Sequence, residues 1–288
     1  MILLSNGHVL KYVVASGALA FDAKGWWWEQ PLRWRRRIKP ELFSVVIKTL
    51  TYEETKGNLK MWKPWDCVRL LKNGGVLNKI GLTNKGIEWW LKKIAPKINF
   101  HEQAVIVSIS GSREHILIMI KQLNHLPIKA IEINGSCPNT VSGVTDSGYV
   151  IETFKQAKVV SKHPLIVKVG VTQDYMAIAE GVRGYAEAIA LNSVPWHVVN
   201  PDKKSPLAKL KGAGGGGVSG KPAQEFNWPA AKELAEKNYL PVICPSIMEY
   251  EDLEKVDELG AKAYSFGAVH VRTPSKPTSI VERHQNGN

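Results

Sequence analysis

Short runs of consecutive apolar and β-branched residues recur along the chain at the length of a β-strand. Strands that are apolar along their whole length are typical of parallel sheets covered on both faces. Eight such runs are predicted as strands, at residues 11–16, 44–49, 104–110, 130–136, 164–170, 186–192, 241–246 and 263–267.

Segments with helical periodicity separate most of these strands, and several of them begin with Ser, Asp or Asn. The predicted helices are 85–95, 113–123, 148–162, 174–184, 227–237 and 249–260. Eight strands that alternate with helices predict an α/β protein, a (β/α)₈ TIM barrel formed by residues 1–288 as a single domain. A doubly wound open sheet is the alternative, but the turn after the first strand, Ala15-Ser16-Gly17, lacks the glycine pattern of that fold.

Three long segments interrupt the alternation, at residues 22–43, 51–84 and 194–223. They exceed ordinary loop lengths, so we expect them to fold as insertions, either extra strands or lids, over one end of the barrel.

Composition narrows the class of protein. The 288 residues are 44% hydrophobic and 22% charged, which indicates a globular chain rather than a disordered or collagen-like one. Apolar stretches fall short of the ~20 residues of a spanning helix, and residues 1–20 lack a basic leader, which excludes membrane-spanning and secretory classes. Three scattered cysteines predict reduced thiols, a cytoplasmic location and no four-cysteine metal site.

Basic residues and tryptophans concentrate near the N-terminus. Residues 1–100 hold 18 Lys and Arg against 7 Asp and Glu, whereas the remainder holds 20 against 19. Trp26, Trp27 and Trp28 are followed closely by Trp34 and a run of arginines at 35–37. Such a face could meet RNA, an anionic lipid or an acidic partner subunit, or it could be a solvated basic face over packed aromatic rings.

The predicted strands end in polar residues, and TIM-barrel active sites are built at these carboxyl ends. Lys48 and Lys168 each close an apolar run, so their amines should meet an anionic or electron-rich ligand at the barrel mouth. A structural salt bridge is the alternative, but the other strand ends offer Asn and Ser rather than Asp or Glu. Glycines 214–217 and 220, with Gly267, indicate a phosphate site made of backbone N–H groups. Cys137, between Asn134 and Asn139, is a candidate base or nucleophile.

At these residues the chain resembles the class 1 dihydroorotate dehydrogenases over nearly its whole length. The similar segments are Ala15-Ser16-Gly17, Lys48-Thr49-Leu50-Thr51, residues 78–84 (N-x-x-G-L-x-N), residues 134–139 (N-x-S-C-P-N), Lys168, Asn192-Ser193 and residues 216–220. The resemblance implies an FMN-dependent barrel that forms a homodimer and oxidises dihydroorotate to orotate in pyrimidine biosynthesis.

The resemblance also implies roles for single residues. Cys137 would remove the C5 proton while hydride passes from C6 to flavin N5, with Lys48 beside it, and Lys168 would lie near flavin N1 and O2. Substrate would be bound by Lys48, Asn78, Ile80, Gly81, Leu82, Asn134, Asn139, Asn192 and Ser193. FMN would be bound by Ala15, Ser16, Gly17, Lys48, Thr49, Ser108, Asn134, Lys168, Asn192, Gly217, Ser219, Gly220, Ser246, Gly267 and Ala268.

Two departures and two alternatives stand beside this interpretation. The Gly-Gly-Ile expected after strand seven is here Pro245-Ser246-Ile247, and the Gly-Thr expected after strand eight is Gly267-Ala268. A dihydrouridine synthase acting on RNA, or a degenerate barrel kept as a scaffold, are the alternatives. The Lys48-Thr49-Leu50-Thr51 segment and the asparagine set fit a free pyrimidine acid better than a nucleic acid.

The electron acceptor is open at this point. The chain offers no iron–sulfur cysteine set, no second nucleotide fold and no N-terminal amphipathic helix for quinone access. Fumarate is the simpler alternative, because a dicarboxylate could reuse Lys48 and the asparagines. An electron-transfer partner subunit on the basic, Trp-rich face is the other.

Overall fold

The computed structural model describes residues 1–60, 62–135, 146–212 and 214–287. Within these ranges the strands in chain order are β1 (Ile2–Leu3), β2 (Val9–Leu10), β3 (Tyr12–Val14), β4 (Ser44–Val46), β5 (Val68–Leu70), β6 (Gly75–Asn78), β7 (Ala104–Ile109), β8 (Ala130–Asn134), β9 (Leu165–Val169), β10 (Ala188–Leu191), β11 (Val194–Pro195), β12 (Gly217–Gly220), β13 (Val242–Cys244) and β14 (Ala263–Phe266).

Eight of these strands close a parallel barrel in sequence order, which confirms the predicted α/β barrel. Its members are β3, β4, β7, β8, β9, β10, β13 and β14, and β14 pairs with β3 to complete the ring. Each lies inside one of the eight predicted runs. The strands are shorter than the runs because the last residues of each run turn away at the barrel mouth.

The barrel interior changes from apolar to polar along its axis. Alternate residues of each strand point inward, and the lower layer forms one apolar cluster that includes Val46, Ile106 and Ile166. The β1–β2 hairpin closes the lower end, because Ile2, Leu4 and Leu10 belong to the same cluster. Ligand chemistry is therefore confined to the opposite end.

The helices lie around this barrel. They are α1 (Gln30–Trp34), α2 (Ile87–Lys93), α3 (Arg113–Leu123), α4 (Ser147–Val160), α5 (Tyr175–Gly181), α6 (Trp196–Val199), α7 (Lys221–Lys237), α8 (Asp252–Glu258), α9 (Ala268–Arg272) and α10 (Lys276–Gln285), with 3₁₀ turns at Trp27–Glu29, Pro40–Leu42, Pro64–Asp66 and Ala95–Lys97. The α3 bounds are those predicted, and Ser112 caps this helix by accepting a hydrogen bond from the His115 N–H. In the described ranges no helix is long and apolar enough to cross a bilayer.

An antiparallel sheet of β11, β12, β6 and β5, here called the lid sheet, lies over the barrel mouth. Two of the long predicted insertions supply its strands, as expected. Arg272 of α9 ties the lid sheet to the barrel by donating hydrogen bonds to the carbonyl oxygens of Leu71 and Gly75. The third insertion, residues 22–43, forms α1 and two 3₁₀ turns rather than strands.

Candidate active site

A cavity of about 710 Å³ opens between the carboxyl ends of the barrel strands and the lid sheet, a volume typical of small-molecule and cofactor sites. Most of the predicted site residues line it: Ala15, Ser16, Gly17, Lys48, Thr49, Asn78, Ile80, Gly81, Leu82, Asn134, Lys168, Asn192, Ser193, Gly217, Ser219, Gly220, Ser246, Gly267 and Ala268. The strand-end residues thus meet in one place.

Three predicted residues are not among this lining. Cys137 and Asn139 lie outside the described residues. Ser108 is fully buried behind the wall, where its hydroxyl bonds to Thr49 and Glu132. Any contact of Ser108 with a cofactor would therefore be indirect.

Lys48 is buried at the end of β4, and its ammonium lies 5.8 Å from the centroid of the Phe21 ring. Its backbone N–H donates to the carbonyl oxygen of Ala20 at 2.8 Å. Phe21 in turn packs edge-on against Trp26 and Trp89. This aromatic support fixes a cation at the cavity wall.

Lys168 corrects one expectation from the sequence. Its Nζ lies 3.3 Å from Glu132 Oε1, and both side chains are buried. We expected no carboxylate near Lys168 because the strand ends offer Asn and Ser, but Glu132 supplies one from inside β8. Glu132 was missed because it stands within an apolar run, two residues before Asn134. Its signal was the period of two: Ala130, Glu132 and Asn134 all point inward.

The lid sheet brings the asparagine of β6 to the cavity. Asn78 Nδ2 donates to the carbonyl oxygen of Gly217 at 3.4 Å. The loop that follows is held by Asn84, whose Oδ1 accepts hydrogen bonds from the N–H groups of Thr51 and Gly86. Residues 80–82 are therefore fixed against the segment that carries Lys48.

Asn192 and Ser193 are supported from α7. Asn227 is buried and donates from Nδ2 to the carbonyl oxygen of Asn192 at 3.2 Å. Gly217 leaves room for Ser193, because a Cβ at this position would lie 2.2 Å from Ser193 Oγ and would force that side chain to move. Asn227 also lines the cavity, as do Lys79, His197 and Lys211, and none of these was singled out in the sequence.

Two helix N-termini meet at the far end of the cavity. Gly220 precedes α7 and Gly267 precedes α9, and neither helix has a side-chain cap. A Cβ on Gly220 would lie 2.9 Å from the carbonyl oxygen of Gly74 and 3.0 Å from the Ala268 Cβ. We call these two uncapped helix N-termini the glycine cradle, and such an arrangement fits a phosphate. The residues present therefore fit FMN, with Lys168 and this cradle on the same cavity.

Ser246 lies in the loop after β13, where the resemblance leads us to expect glycine. Its φ is +69°, in the left-handed region that favours glycine, and it lines the cavity beside Gly267. The loop after β13 thus contains a glycine-type backbone conformation at the cavity wall.

The two described cysteines do not supply a reactive thiol. Cys244 is fully buried in β13, and desolvation raises its pKa well above the usual range. Burial also raises the pKa of Cys67, with Lys48 acting in the opposite direction. A buried neutral thiol is unreactive, so Cys137 stays the candidate.

Comparison with known proteins points the same way. The family described as Dihydroorotate dehydrogenase matches residues 34–267. This chain is similar to proteins from three organisms that are each named "Dihydroorotate dehydrogenase B (NAD(+)), catalytic subunit". That of Petrotoga mobilis is 29% identical over 84% of this chain and 81% of its own. That of Alkaliphilus metalliredigens is 30% identical over 84% and 80%, and that of Bacteroides fragilis is 29% identical over 83% and 79%.

Proposed function

The chain belongs to the dihydroorotate dehydrogenase family, and we propose that it catalyses the FMN-dependent oxidation of dihydroorotate to orotate in pyrimidine biosynthesis. The observation that carries the proposal is the composition of the cavity wall. It combines three buried lysines, Lys48, Lys79 and Lys168, with four asparagines and a glycine cradle at helix N-termini. This set suits an anionic pyrimidine and a phosphorylated cofactor. The phosphate groups of an RNA substrate would instead pair with basic side chains outside the cavity.

Substrate recognition would fall to residues of both the barrel mouth and the lid sheet. Lys48 would meet the carboxylate, because it is a buried cation at the wall. Asn78, Asn134 and Asn192 would pair with the ring amide groups, since a carboxamide both donates and accepts hydrogen bonds. Ser193, Ile80, Gly81 and Leu82 would complete the pocket, and Asn139 would add a further amide.

FMN would be held by the glycine cradle at its phosphate and by Lys168 at its ring. Bound FMN would supply the hydride acceptor of the reaction. Lys168 would stabilise negative charge at the ring edge. Ser16, Gly17 and Thr49 would line the ring on the opposite side of the barrel mouth, where the small residues leave room for a planar group.

Cys137 would act as the base that takes the C5 proton from the substrate. The described cysteines are buried, which leaves this thiol as the candidate. The lid sheet would exclude water from the reacting carbon atoms while the proton moves to Sγ.

For the electron acceptor we propose NAD⁺ reached through a partner subunit, in place of fumarate. The similar proteins are named catalytic subunits of an NAD⁺-linked enzyme. The partner would dock on the Trp-rich segment, defined as residues 26–37. Trp27, Trp28 and Trp34 are exposed there beside Arg35–Arg37, so the segment fits a partner with an acidic face.

Cofactor release tests the proposal. Heat-denatured protein should yield FMN, identified by chromatography, and orotate should perturb the visible spectrum of the bound flavin. Colourless protein that FMN cannot reconstitute would favour the scaffold alternative. A flavin spectrum that orotate leaves unchanged would argue against the pyrimidine site.

A further inference from the structure

Five polar side chains from five successive barrel strands form one connected chain around the cavity. Ser16 Oγ lies 3.0 Å from Thr49 Oγ1, which lies 2.9 Å from Ser108 Oγ. Ser108 Oγ is 2.9 Å from Glu132 Oε1, and the same oxygen is 3.3 Å from Lys168 Nζ. Ser16 Oγ donates its proton to the carbonyl oxygen of Ile47, so the hydrogen-bonded part of this chain runs from Thr49, after β4, to Lys168 in β9.

The direction of the hydrogen bonds follows from the acceptor at one end. A carboxylate only accepts, so Ser108 must donate to Glu132, and Thr49 must then donate to Ser108. Thr49 is itself fixed, because its N–H donates to Ser16 Oγ at 3.1 Å. Strand register supports the arrangement, with Ser108 opposite Glu132 on the neighbouring strand. Glu132 is thus held in one place before any ligand enters.

Stability alone does not account for a buried ion pair at this position. Glu132 is 3% and Lys168 8% exposed, and a buried ion pair is often no more stable than apolar residues of the same volume. Both side chains line the cavity, so the pair fixes a cation where a ligand would contact it.

We propose that Glu132, held by Ser108, is a positioning residue that fixes the Lys168 ammonium against the flavin ring. The inference rests on the proposed function, because the ring belongs to the FMN assigned above. A cation fixed beside the ring stabilises the reduced, anionic flavin, so the reduction potential of bound FMN reports the position of Lys168.

The reduction potential separates positioning from simple charge. In Glu132→Leu the ammonium loses its anchor, and we expect the potential to fall towards that of Lys168→Gln, with no further fall in the double variant. Glu132→Gln keeps an oxygen acceptor, so its potential should equal or exceed that of the wild type. If Glu132 acted through its charge alone, Glu132→Leu would raise the potential, and that result would overturn the proposal.

Ser108→Ala keeps the test decisive if Glu132→Leu does not fold. It should lower the potential in the same direction, whereas Ser44→Ala, a buried serine bonded to His8 at the opposite end of the barrel, should not. An unchanged potential in Ser108→Ala would contradict the proposal.

A second readout needs no flavin. In FMN-free protein, labelling of Lys168 by an amine reagent, read by mass spectrometry, should rise about tenfold in Ser108→Ala, the effect of losing one hydrogen bond to a charged group. Unchanged labelling would reject the positioning role even if the protein proves to bind no flavin, so the two proposals can fail separately.

Discussion

The rings of Trp26 and Trp28 stack in parallel, with centroids 5.2 Å apart and planes 1° apart. Trp26 Nε1 donates to the carbonyl oxygen of Gly17, a residue of the cavity wall, at 3.1 Å. Trp28 is 38% exposed in the Trp-rich segment. One aromatic stack therefore connects the cavity wall to the proposed docking surface.

Charge reversal tests that surface. With the partner subunit and NAD⁺ present, replacing Arg35, Arg36 and Arg37 by Glu should lower turnover by at least about tenfold at low salt, because steering of an acidic partner is lost. Reduction of the flavin by dihydroorotate, measured by stopped flow, should not change.

The matched control reverses three exposed lysines on the outer surface: Lys121 in α3, Lys155 in α4 and Lys162 just after α4. Equal loss of turnover in the control would show a general charge effect. If fumarate reoxidised the reduced wild-type enzyme at the turnover rate without a partner, fumarate would replace NAD⁺ as the proposed electron acceptor.

Glu29 makes the same segment sensitive to pH. It is buried, its Oε2 accepts a hydrogen bond from the Trp26 N–H at 2.7 Å, and burial raises its pKa from 4.5 to about 7. Because the folded pKa is raised, the stability contributed by the protonated carboxyl is complete below pH 4.5 and is lost as the pH rises through 7.

Glu29→Gln keeps an acceptor for the Trp26 N–H without the charge. We expect its free energy of unfolding to exceed that of the wild type by up to about 3 kcal/mol at pH 8.5 and to match it near pH 4.5. Denaturant unfolding followed by tryptophan fluorescence measures this. If the free energy of unfolding depended on pH in the same way in both proteins, the result would show that burial does not raise the pKa of Glu29.

His270 has the opposite dependence. It is fully buried in α9 against Phe43, and desolvation lowers its pKa from 6.5 to about 3. Because the folded pKa is depressed, stability is complete above pH 6.5 and falls as the unfolded state takes up the proton. We expect a loss of about 1.4 kcal/mol for each pH unit below 6.5, absent in His270→Leu. Thermal unfolding at pH 5 and 7.5 gives the comparison, and equal shifts in the two proteins would contradict it.

Strands and the general position of the site could be predicted from the sequence because each barrel strand lies in a mostly apolar run. The β1–β2 hairpin could not, since two-residue strands leave no periodic pattern. Residues 217–220 were interpreted as part of a phosphate loop, and the sequence did not predict that they form β12, in which Gly217 pairs with Asn78 of a strand far away in sequence. Long-range pairing of this kind has no local signal.

The polar chain behind the cavity illustrates the same limit. Lys168 was identified because it stands near the end of a strand. Its partner Glu132 was missed because it is a single charged residue inside an otherwise apolar strand. Ser108 was predicted to contact the cofactor, and in the structure its hydroxyl donates to Glu132. The residues at the barrel mouth could be predicted because they stand at the ends of strands. Their contacts could not, because these depend on which residues of three neighbouring strands lie opposite one another and point inward.

Cys137 is tested by comparing the reductive half-reaction in two variants. A positioned general base contributes about 10² to 10⁴-fold, so Cys137→Ala should slow flavin reduction by that factor with FMN still bound, and Cys137→Ser should recover part of the rate at higher pH. Cys244→Ala, which removes a fully buried thiol, should reduce at the wild-type rate. Equal rates for Cys137→Ala and wild type would remove this thiol from the mechanism.

Anaerobic mixing with dihydroorotate tests the central claim most directly. The absorbance of the bound flavin at ~450 nm should decrease on mixing, because the substrate transfers its electrons to oxidised FMN. Orotate should form in an amount equal to that of the flavin reduced. An unchanged oxidised spectrum with dihydroorotate, together with bleaching by tRNA that contains dihydrouridine, would contradict the assignment and favour the RNA enzyme.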